Sequence, residues 1–579
     1  MDESNLEENT PLLPEDHSLE TNKPDQLSGI SPLAVGGRCS GSELDQRLQR
    51  QIGWITASLV NVSYMIGGGI FASPALTLSL VGSGGMNIVV WVFASLITLT
   101  GVATYAELGT MVNGGEKEYL AYIYRKPKLL LSYVFAFYEI IVIAAGIASQ
   151  STVFGRYLNV ALFGMDASTP LLDRVWAVSV ATLLHLVNIW SVNATLKTMV
   201  ALTAIKISVL VLIILTGVLT LGGLLPSDVN FLENISFNGT STSIAPYASA
   251  FYYVSYTVQK LYRNVFDICL SSPTKVSAEY TCLGFLDLTC HLNYSTKDPI
   301  KNLPKIAESA LGLTAILYVL AIVSYMTVLS VDDIKKSELT VAASFFTKVF
   351  GGGFSSRVLP VLVGLSAVGC TASLTFSGGR LILETARDGL IPYGHTIGYV
   401  SPEYKSPINA MILQYVLVVV YLIATPGSVY QFIIAFASWP AYIFFLLIGV
   451  GVFILRQREP ALTRPYKAFS SFVVIFIIFS IYEILFVFVP VPSEDYPYWC
   501  KYCIACVVII SYFYTMGNLC EYYQKNAAPY AAAIVVMSGA HTKSVIQYYQ
   551  VIVLDSPSKS YNKQILNQGR EALAREVYA

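Results

Sequence analysis

The segment YMIGGGIFASP, residues 64–74, places three adjacent glycines and a proline inside an apolar stretch long enough to cross a bilayer. Glycine weakens a helix, and a run of three leaves backbone N–H groups available to other partners. Such groups are tolerated at membrane depth only where they are buried in protein or line a cavity. The segment therefore predicts a broken membrane helix whose interruption binds a ligand, with a kink for close helix packing as the alternative.

Apolar segments recur along the whole chain. Hydrophobic residues make up 54% of the 579 residues and charged residues only 13%, and the mean hydropathy is +0.58. A bilayer crossing takes about 20 apolar residues, and about twelve segments qualify. They lie near residues 53–80, 85–111, 129–158, 173–191, 198–222, 244–262, 307–330, 355–383, 408–425, 428–455, 468–490 and 499–522. The sequence therefore predicts an all-α polytopic membrane protein.

Polar tails flank the predicted transmembrane core, residues 51–525. Residues 1–50 are polar, acidic and rich in Ser, Gly and Pro, which predicts a disordered cytosolic tail rather than a cleavable signal peptide. Residues 526–579 are expected to form a second cytosolic tail. Lys and Arg gather after the second and tenth spans and before the seventh, so the positive-inside rule places these loops and both termini in the cytoplasm.

The loop at residues 224–243 is expected on the opposite face of the membrane. It contains no Lys or Arg, and it carries glycosylation sequons at Asn234 and Asn238. Three lysines in another predicted outer loop oppose this orientation, although acidic residues accompany them: Lys335, Lys336 and Lys348.

Composition and spacing exclude several function classes. The chain has 36 Lys and Arg against 37 Asp and Glu, without the basic stripe that nucleic-acid binding requires. No nucleophile–base arrangement or metal-ligand spacing stands out, so we expect neither an enzyme nor a bound cofactor or metal. Cys500, Cys503 and Cys506 recur at every third residue without a His partner, and we expect them to pack within a membrane helix.

Three long stretches carry a family resemblance. They are GVATYAELGTMVNGGEKEYLAYIYRKP at 101–127, LSAVGCTASLTFSGGRLILETARDGLIP at 365–392 and RQREPALTRPYK at 456–467. In this order they resemble the second span, the eighth span and the loop after the tenth span of the amino acid–polyamine–organocation superfamily. Within it, the run GGEKEYL followed by YRKPK is most similar to fungal high-affinity methionine permeases of the L-type amino acid transporter group.

The resemblance implies a LeuT-like fold in which spans one to five and six to ten form inverted repeats, with spans one and six broken. It implies that Gly67, Gly68 and Gly69 bind the substrate carboxylate, flanked by Ile66 and Ile70. The family commonly has Ser or Thr where this chain has Gly68, so a hydroxyl contact is lost while the backbone donors remain. The implied activity is import of a neutral amino acid, methionine first, by proton symport and alternating access.

Two ionisable residues inside predicted spans are candidates for ion coupling. Lys206 stands alone in the apolar fifth span, where a charge costs at least a few kcal/mol unless it is paired, hydrated or neutral. The resemblance implies that its ammonium takes the place of the sodium used by sodium-coupled relatives, which favours proton coupling. Glu139 in the third span could be kept protonated by burial and take part in a proton step. The alternatives are snorkelling for Lys206 and a structural role for Glu139.

Other ionisable residues are assigned structural roles. Glu107 near the inner end of span two, with Arg380 and Arg387 near that of span eight, is expected to form an inner gate or structural ion pairs. Glu483 and His185 are expected to be packing or interface residues with their polar atoms satisfied.

Span six departs from the family pattern. Its first half, APYASAFYYVSYT at 245–257, is present, but residues 258–292 are polar, charged and foreign to the family. Two explanations remain open, a genuine insertion or a retained intron, of which we favour the second. Val254, Ser255 and Tyr256 are the candidates for the amine side of the substrate site.

Alternative functions follow from this disruption. The chain could be a sensor that binds an amino acid without transporting it, or a permease isoform impaired at span six. Some animal relatives are linked by a disulfide to a glycoprotein heavy chain, but residues 157–173 contain no cysteine, so no such partner is expected. The expected location is the plasma membrane, with a vacuolar or endosomal membrane as the alternative.

Overall fold

The computed structural model describes residues 54–258 and 299–486, apart from short gaps at 113–114, 126–129, 165–168, 227, 352, 388–390, 392, 402, 405 and 426–427. Several sequence predictions lie outside the described residues. They concern both tails, nearly all of the foreign segment at 258–292, the twelfth span and the three cysteines Cys500, Cys503 and Cys506.

The described residues form helices joined by turns and loops. In chain order the helices are α1 (Trp54–Met65), α2 (Gly69–Val81), α3 (Gly84–Met111), α4 (Glu116–Ile123), α5 (Leu130–Phe163), α6 (Pro170–Trp190), α7 (Val192–Leu221), α8 (Phe231–Asn234), α9 (Ala245–Val258), α10 (Pro299–Val328), α11 (Val331–Lys336), α12 (Val341–Phe350), α13 (Phe354–Arg387), α14 (Gly394–Ile397), α15 (Ile408–Ala424), α16 (Val429–Arg458) and α17 (Ser470–Phe486).

Within the described residues, seven helices are long and apolar enough to cross a membrane, namely α3, α5, α6, α7, α10, α13 and α16. Shorter apolar helices accompany them, including α2, α15 and α17. The prediction of an all-α polytopic membrane protein is therefore confirmed. The first eleven predicted spans each correspond to helices, and the first span is divided into α1 and α2. The short helices α4, α11 and α12 were not predicted, because hydropathy detects crossings rather than helices in loops.

Helix packing places the break between α1 and α2 at the centre of the bundle. The long helix α5 lies along α13, and α10 packs against both α1 and α3. The half-helix α2 packs against α9, the first half of span six. The two segments that the sequence assigned to the substrate site are therefore neighbours.

Two of the three lysines that oppose the predicted orientation have structural partners. Lys335 donates a hydrogen bond from Nζ to the carbonyl of Gly82, just after α2, at 2.9 Å. Lys348 lies 3.3 Å from a carboxylate oxygen of Asp333. Hydrogen bonding from Ser330, together with Lys348, holds the pKa of Asp333 below its usual value. These contacts tie Lys335 and Lys348 to neighbouring segments, and the orientation of this loop stays a prediction.

Candidate functional site

The candidate site is built around a backbone break at residues 66–68. α1 ends at Met65, α2 begins at Gly69, and the three residues between them are buried and outside any helix. The prediction of a broken first span is therefore confirmed. Because the first turn of a helix has no internal acceptors for its N–H groups, α2 presents the N–H groups of Gly69 and Ile70 at the break. The positive end of the helix dipole adds to the attraction of an anion at this point.

Two buried tyrosines hold the two sides of the break. Tyr318 on α10 donates its hydroxyl proton to the carbonyl of Met65 at 2.9 Å. Tyr157 on α5 donates to the carbonyl of Phe71 at 2.8 Å. Both side chains are fully buried, so these bonds tie the ends of the broken helix to two different neighbours and keep the gap in place.

Gln150 on α5 accepts the hydrogen bond of the backbone N–H group at the middle of the break. The N–H of Gly68 donates to Oε1 of Gln150 at 2.9 Å. A Cβ atom at position 68 would lie 2.6 Å from that oxygen and 3.2 Å from the Cβ of Ala367 and from Cγ1 of Val153. At this position, where the resemblance leads one to expect Ser or Thr, a side chain would have to displace the carboxamide of Gln150.

Of the span-six candidates, Tyr256 contacts Gln150, the residue hydrogen-bonded to Gly68. Its hydroxyl donates to Oγ of Ser149 at 3.2 Å and accepts from Nε2 of Gln150 at 3.5 Å. Ser255 instead accepts a hydrogen bond from the hydroxyl of Tyr442 on α16 at 2.7 Å. Val254 is fully buried in the apolar core. Of these three residues, Tyr256 is therefore the one whose side chain contacts Ser149 and Gln150 beside the break.

Thr257 was not among the predicted residues, but it packs directly on α2. Its Oγ1 lies 3.3 Å from Oγ of Ser73, which is 2.9 Å from the hydroxyl of Tyr430. A Cβ atom at Gly69 would lie 2.6 Å from the same Oγ1. The α2–α9 contact thus depends on the absence of a side chain at Gly69.

The sequence contained one signal for the missed residues. Gln150 lies in the polar run SQST, residues 149–152, within the otherwise apolar third span. A group of polar side chains at membrane depth is a functional indication by itself. Tyr157 and Tyr318 gave no such signal, because a tyrosine in a membrane span is compatible with ordinary packing.

Lys206 is buried, with 2% of its surface exposed, on α7. This helix packs against α13. One turn before Lys206, Leu202 would be 3.0 Å from a Cβ at Gly369, and Ala367 on the same helix α13 borders Gly68. The lysine therefore belongs to the layer of helices behind the break, and its coupling role stays a prediction.

Glu139 is also buried, but it lies away from the break. It precedes Gln150 on α5 by eleven residues, which corresponds to about 16 Å along a helix axis. A direct contact between its carboxyl group and a substrate held at residues 66–68 is excluded by this separation, and its part in a proton step stays a prediction.

Glu107 forms a structural ion pair, one of the two roles predicted for it, and its partner is Arg456. Its carboxylate accepts two hydrogen bonds from Arg456, at 3.0 and 2.5 Å, and one from the N–H of Ala468 at 2.9 Å. Arg380 instead lies over the ring of Phe376, and Arg387 donates to the carbonyl of Gly398. The network around Glu107 joins α3 to the end of α16.

Glu483 contradicts its prediction as a satisfied packing residue. Its side chain is fully buried on α17, and neither carboxyl oxygen has a hydrogen-bond partner among the described residues. His185 agrees only in part: its Nδ1 lies 2.8 Å from the carbonyl of Ala181 and its ring packs against Tyr415, but its Nε2 has no hydrogen-bond partner among the described residues. The error for Glu483 arose because a sequence does not say which neighbours a helix face meets.

Comparison with known proteins gives consistent results. The sequence pattern of the amino acid permease family matches residues 52–512. The high-affinity methionine permease of Saccharomyces cerevisiae is 29% identical over 513 residues, which cover 85% of this chain and 82% of that protein. The mouse b(0,+)-type amino acid transporter 1 is 26% identical over 78% of this chain and 85% of its own length. The rat large neutral amino acids transporter small subunit 2 is 27% identical, covering 80% of each chain.

Proposed function

Because the chain belongs to the amino acid permease family, we propose that it imports a neutral amino acid, with methionine as the first candidate, by proton symport and alternating access. The chain is a multi-pass membrane protein of an amino acid transport family. The choice of methionine is supported by the similarity to a methionine permease. Proton coupling is supported by the buried Lys206.

The break at residues 66–68 is the observation that carries the proposal. Its backbone is buried at the centre of the bundle, and α2 directs the positive end of its dipole at it. In the proposed complex the substrate carboxylate binds the N–H groups of Gly67, Gly68, Gly69 and Ile70. The carboxamide of Gln150 withdraws from Gly68 when the carboxylate binds there, since both are acceptors for one donor.

The amine of the substrate lies toward α9 in this proposal. Val254, Ser255 and Tyr256 supply that side, and Tyr256 is connected to the break through Gln150. Both termini are proposed to be cytoplasmic and the protein to reside in the plasma membrane, without a disulfide-linked heavy chain. Lys206 and Glu139 are the proposed coupling residues, and neither is placed in contact with the substrate.

Uptake of labelled methionine into permease-deficient cells tests the proposal. Saturable uptake that unlabelled methionine competes for, and that Lys206→Ala and Gly68→Val abolish at equal surface expression, is the expected result. A panel of unlabelled amino acids then ranks the substrates. Specific binding to the purified protein without uptake would instead favour the sensor function, and absence of both would refute the proposal.

A further inference from the structure

Glu483 has a buried carboxyl group that the proposed mechanism does not yet use. It is the only Asp, Glu, Lys or Arg residue in the apolar helix α17, and its side chain is fully buried. Both carboxyl oxygens lack a hydrogen-bond partner among the described residues. An ionised carboxylate buried without partners is so unfavourable that such a group takes up a proton instead. Glu483 is therefore a neutral carboxylic acid in the conformation described here.

The helices around α17 bring no described cation to this carboxyl group. α17 packs against α3, α9 and α16. The titratable groups nearest to Glu483 are tyrosines, Tyr247 and Tyr252 from α9, Tyr442 from α16 and the adjacent Tyr482.

A charged pair contacts α17 at its opposite end. Arg456 is paired with Glu107 and donates to Oγ of Ser470 at 2.9 Å. Ser470 begins α17, and the thirteen residues from there to Glu483 correspond to about 20 Å of helix. Arg456 is thus both distant and already neutralised by another carboxylate.

Glu483 is attached to the helix that borders the substrate site. The hydroxyl of Tyr252 on α9 donates to the backbone carbonyl of Glu483 at 2.7 Å. The ring of Tyr252 lies 5.5 Å from that of Tyr442, whose hydroxyl donates to Ser255. The next residue along α9, Tyr256, accepts a hydrogen bond from Gln150 at the break. A change of charge at Glu483 therefore acts on α9, and through α9 on the site.

From this geometry we propose that Glu483 is the binding site of the transported proton. The inference rests on the proposed function: it assigns the proton-binding step to Glu483, in addition to the coupling residues Lys206 and Glu139. The carboxylate takes a proton from water on the outer side, and the resulting neutral acid permits the close packing of α17 on α9. When α9 and α17 separate and water reaches the group, the O–H bond breaks, the proton passes to water on the inner side and the carboxylate remains. Proton binding at Glu483 and the packing of α17 on α9 are thus thermodynamically linked, so that each favours the other.

Proteoliposomes containing the purified full-length protein provide the test. One assay measures exchange of labelled for unlabelled methionine without a pH gradient, which requires alternating access but no net proton movement. The second measures accumulation of methionine driven by an imposed gradient of one pH unit, which supports about tenfold accumulation for one proton per substrate. The test variant is Glu483→Gln, which imitates the neutral acid. The matched control is Ser480→Ala, one turn earlier on the same helix, where the hydroxyl only bonds the carbonyl of Phe476.

The expected result is that Glu483→Gln keeps exchange but loses the gradient-driven accumulation, so that its ratio falls from about tenfold to about one. Ser480→Ala keeps both. Accumulation that survives in Glu483→Gln overturns the inference, and so does loss of exchange together with accumulation in a folded variant, since that would make Glu483 part of the transport path itself. If Glu483→Gln does not fold, labelling of the wild-type protein with dicyclohexylcarbodiimide decides, because this reagent requires a protonated carboxyl group in apolar surroundings. An unlabelled Glu483 then refutes the protonated state.

The same assays separate this inference from the function on which it rests. A wild-type protein that neither exchanges nor accumulates any amino acid refutes the proposed function. A wild-type protein that exchanges methionine but ignores the pH gradient refutes proton coupling, and the role of Glu483 with it.

Discussion

Replacement of Gly69 by alanine is the sharpest test of how the substrate site is packed. A Cβ atom at this position would lie 2.6 Å from Oγ1, 2.9 Å from Cγ2 and 3.2 Å from Cβ of Thr257. Threonine is stiff at χ1 in a helix, and this one is buried, so its side chain has little room to move away. We therefore expect Gly69→Ala to force α2 and α9 apart.

The expected magnitude follows from the cost of overpacking a filled core. An added methyl group in such a position costs about 1–3 kcal/mol. If the strain falls on the substrate-bound state, methionine affinity drops by about 5- to 150-fold. Thr257→Ala removes the two closest atoms and leaves only the 3.2 Å contact, so the double variant should recover most of the loss. The two substitutions are then strongly non-additive.

Binding of labelled methionine to the purified protein and thermal unfolding measure the two effects separately. Gly312→Ala is the matched control, because Gly312 lies within the helix α10 and a Cβ atom there meets nothing within 4 Å. This control should bind normally and unfold at the same or a higher temperature, since alanine favours a helix. Equal behaviour of Gly69→Ala and Gly312→Ala, or additivity with Thr257→Ala, would refute the close contact between α2 and α9.

Three further predictions concern other parts of the molecule. Glu107→Gln removes the buried carboxylate that accepts hydrogen bonds from Arg456 and should destabilise the protein by about 1.5–3 kcal/mol in thermal unfolding, whereas Glu459→Gln at a half-exposed pair should cost about 1 kcal/mol or less. Asn238 is exposed and should carry the glycan of the outer loop, while the amide nitrogen of Asn234 is buried and donates to the carbonyls of residues 326 and 329. Asn238→Gln should therefore remove the glycosidase-sensitive gel shift, and a shift that persists in that variant would contradict this assignment. Because the pKa of Asp333 is lowered by folding, its contribution to stability is complete above the usual Asp value of 3.8 and declines as pH falls below it. Unfolding temperatures of wild type and Asp333→Asn should accordingly converge between pH 5 and acid pH, and a difference that does not change with pH would argue against this linkage.

The sequence was sufficient for the fold because the bilayer imposes a simple rule. Each crossing needs a run of apolar residues, and eleven predicted spans correspond to described helices. The break in the first span could also be predicted, since three adjacent glycines interrupt an apolar run. Family resemblance then gave the class of function before any contact was known.

The composition of the site was less accessible to sequence reasoning. Gln150 and Thr257 reach the break because α5 and α9 approach it from other parts of the chain, 82 and 188 residues away from their partners Gly68 and Gly69. Pairings at such separation are fixed by helix packing rather than by local pattern. The same limit explains Glu107, whose partner Arg456 lies 349 residues away, and Glu483, whose isolation depends on which helices surround it.

We propose above all that the break at residues 66–68 binds an amino acid and that the protein moves this amino acid across the membrane. The most direct measurement is exchange of labelled methionine by the purified full-length protein in proteoliposomes, comparing wild type with Gly68→Val. We expect saturable exchange in the wild type and none in the variant, because the larger side chain would displace Gln150 and fill the break. Absence of exchange of any amino acid by the folded wild-type protein, or full exchange in Gly68→Val, would contradict it.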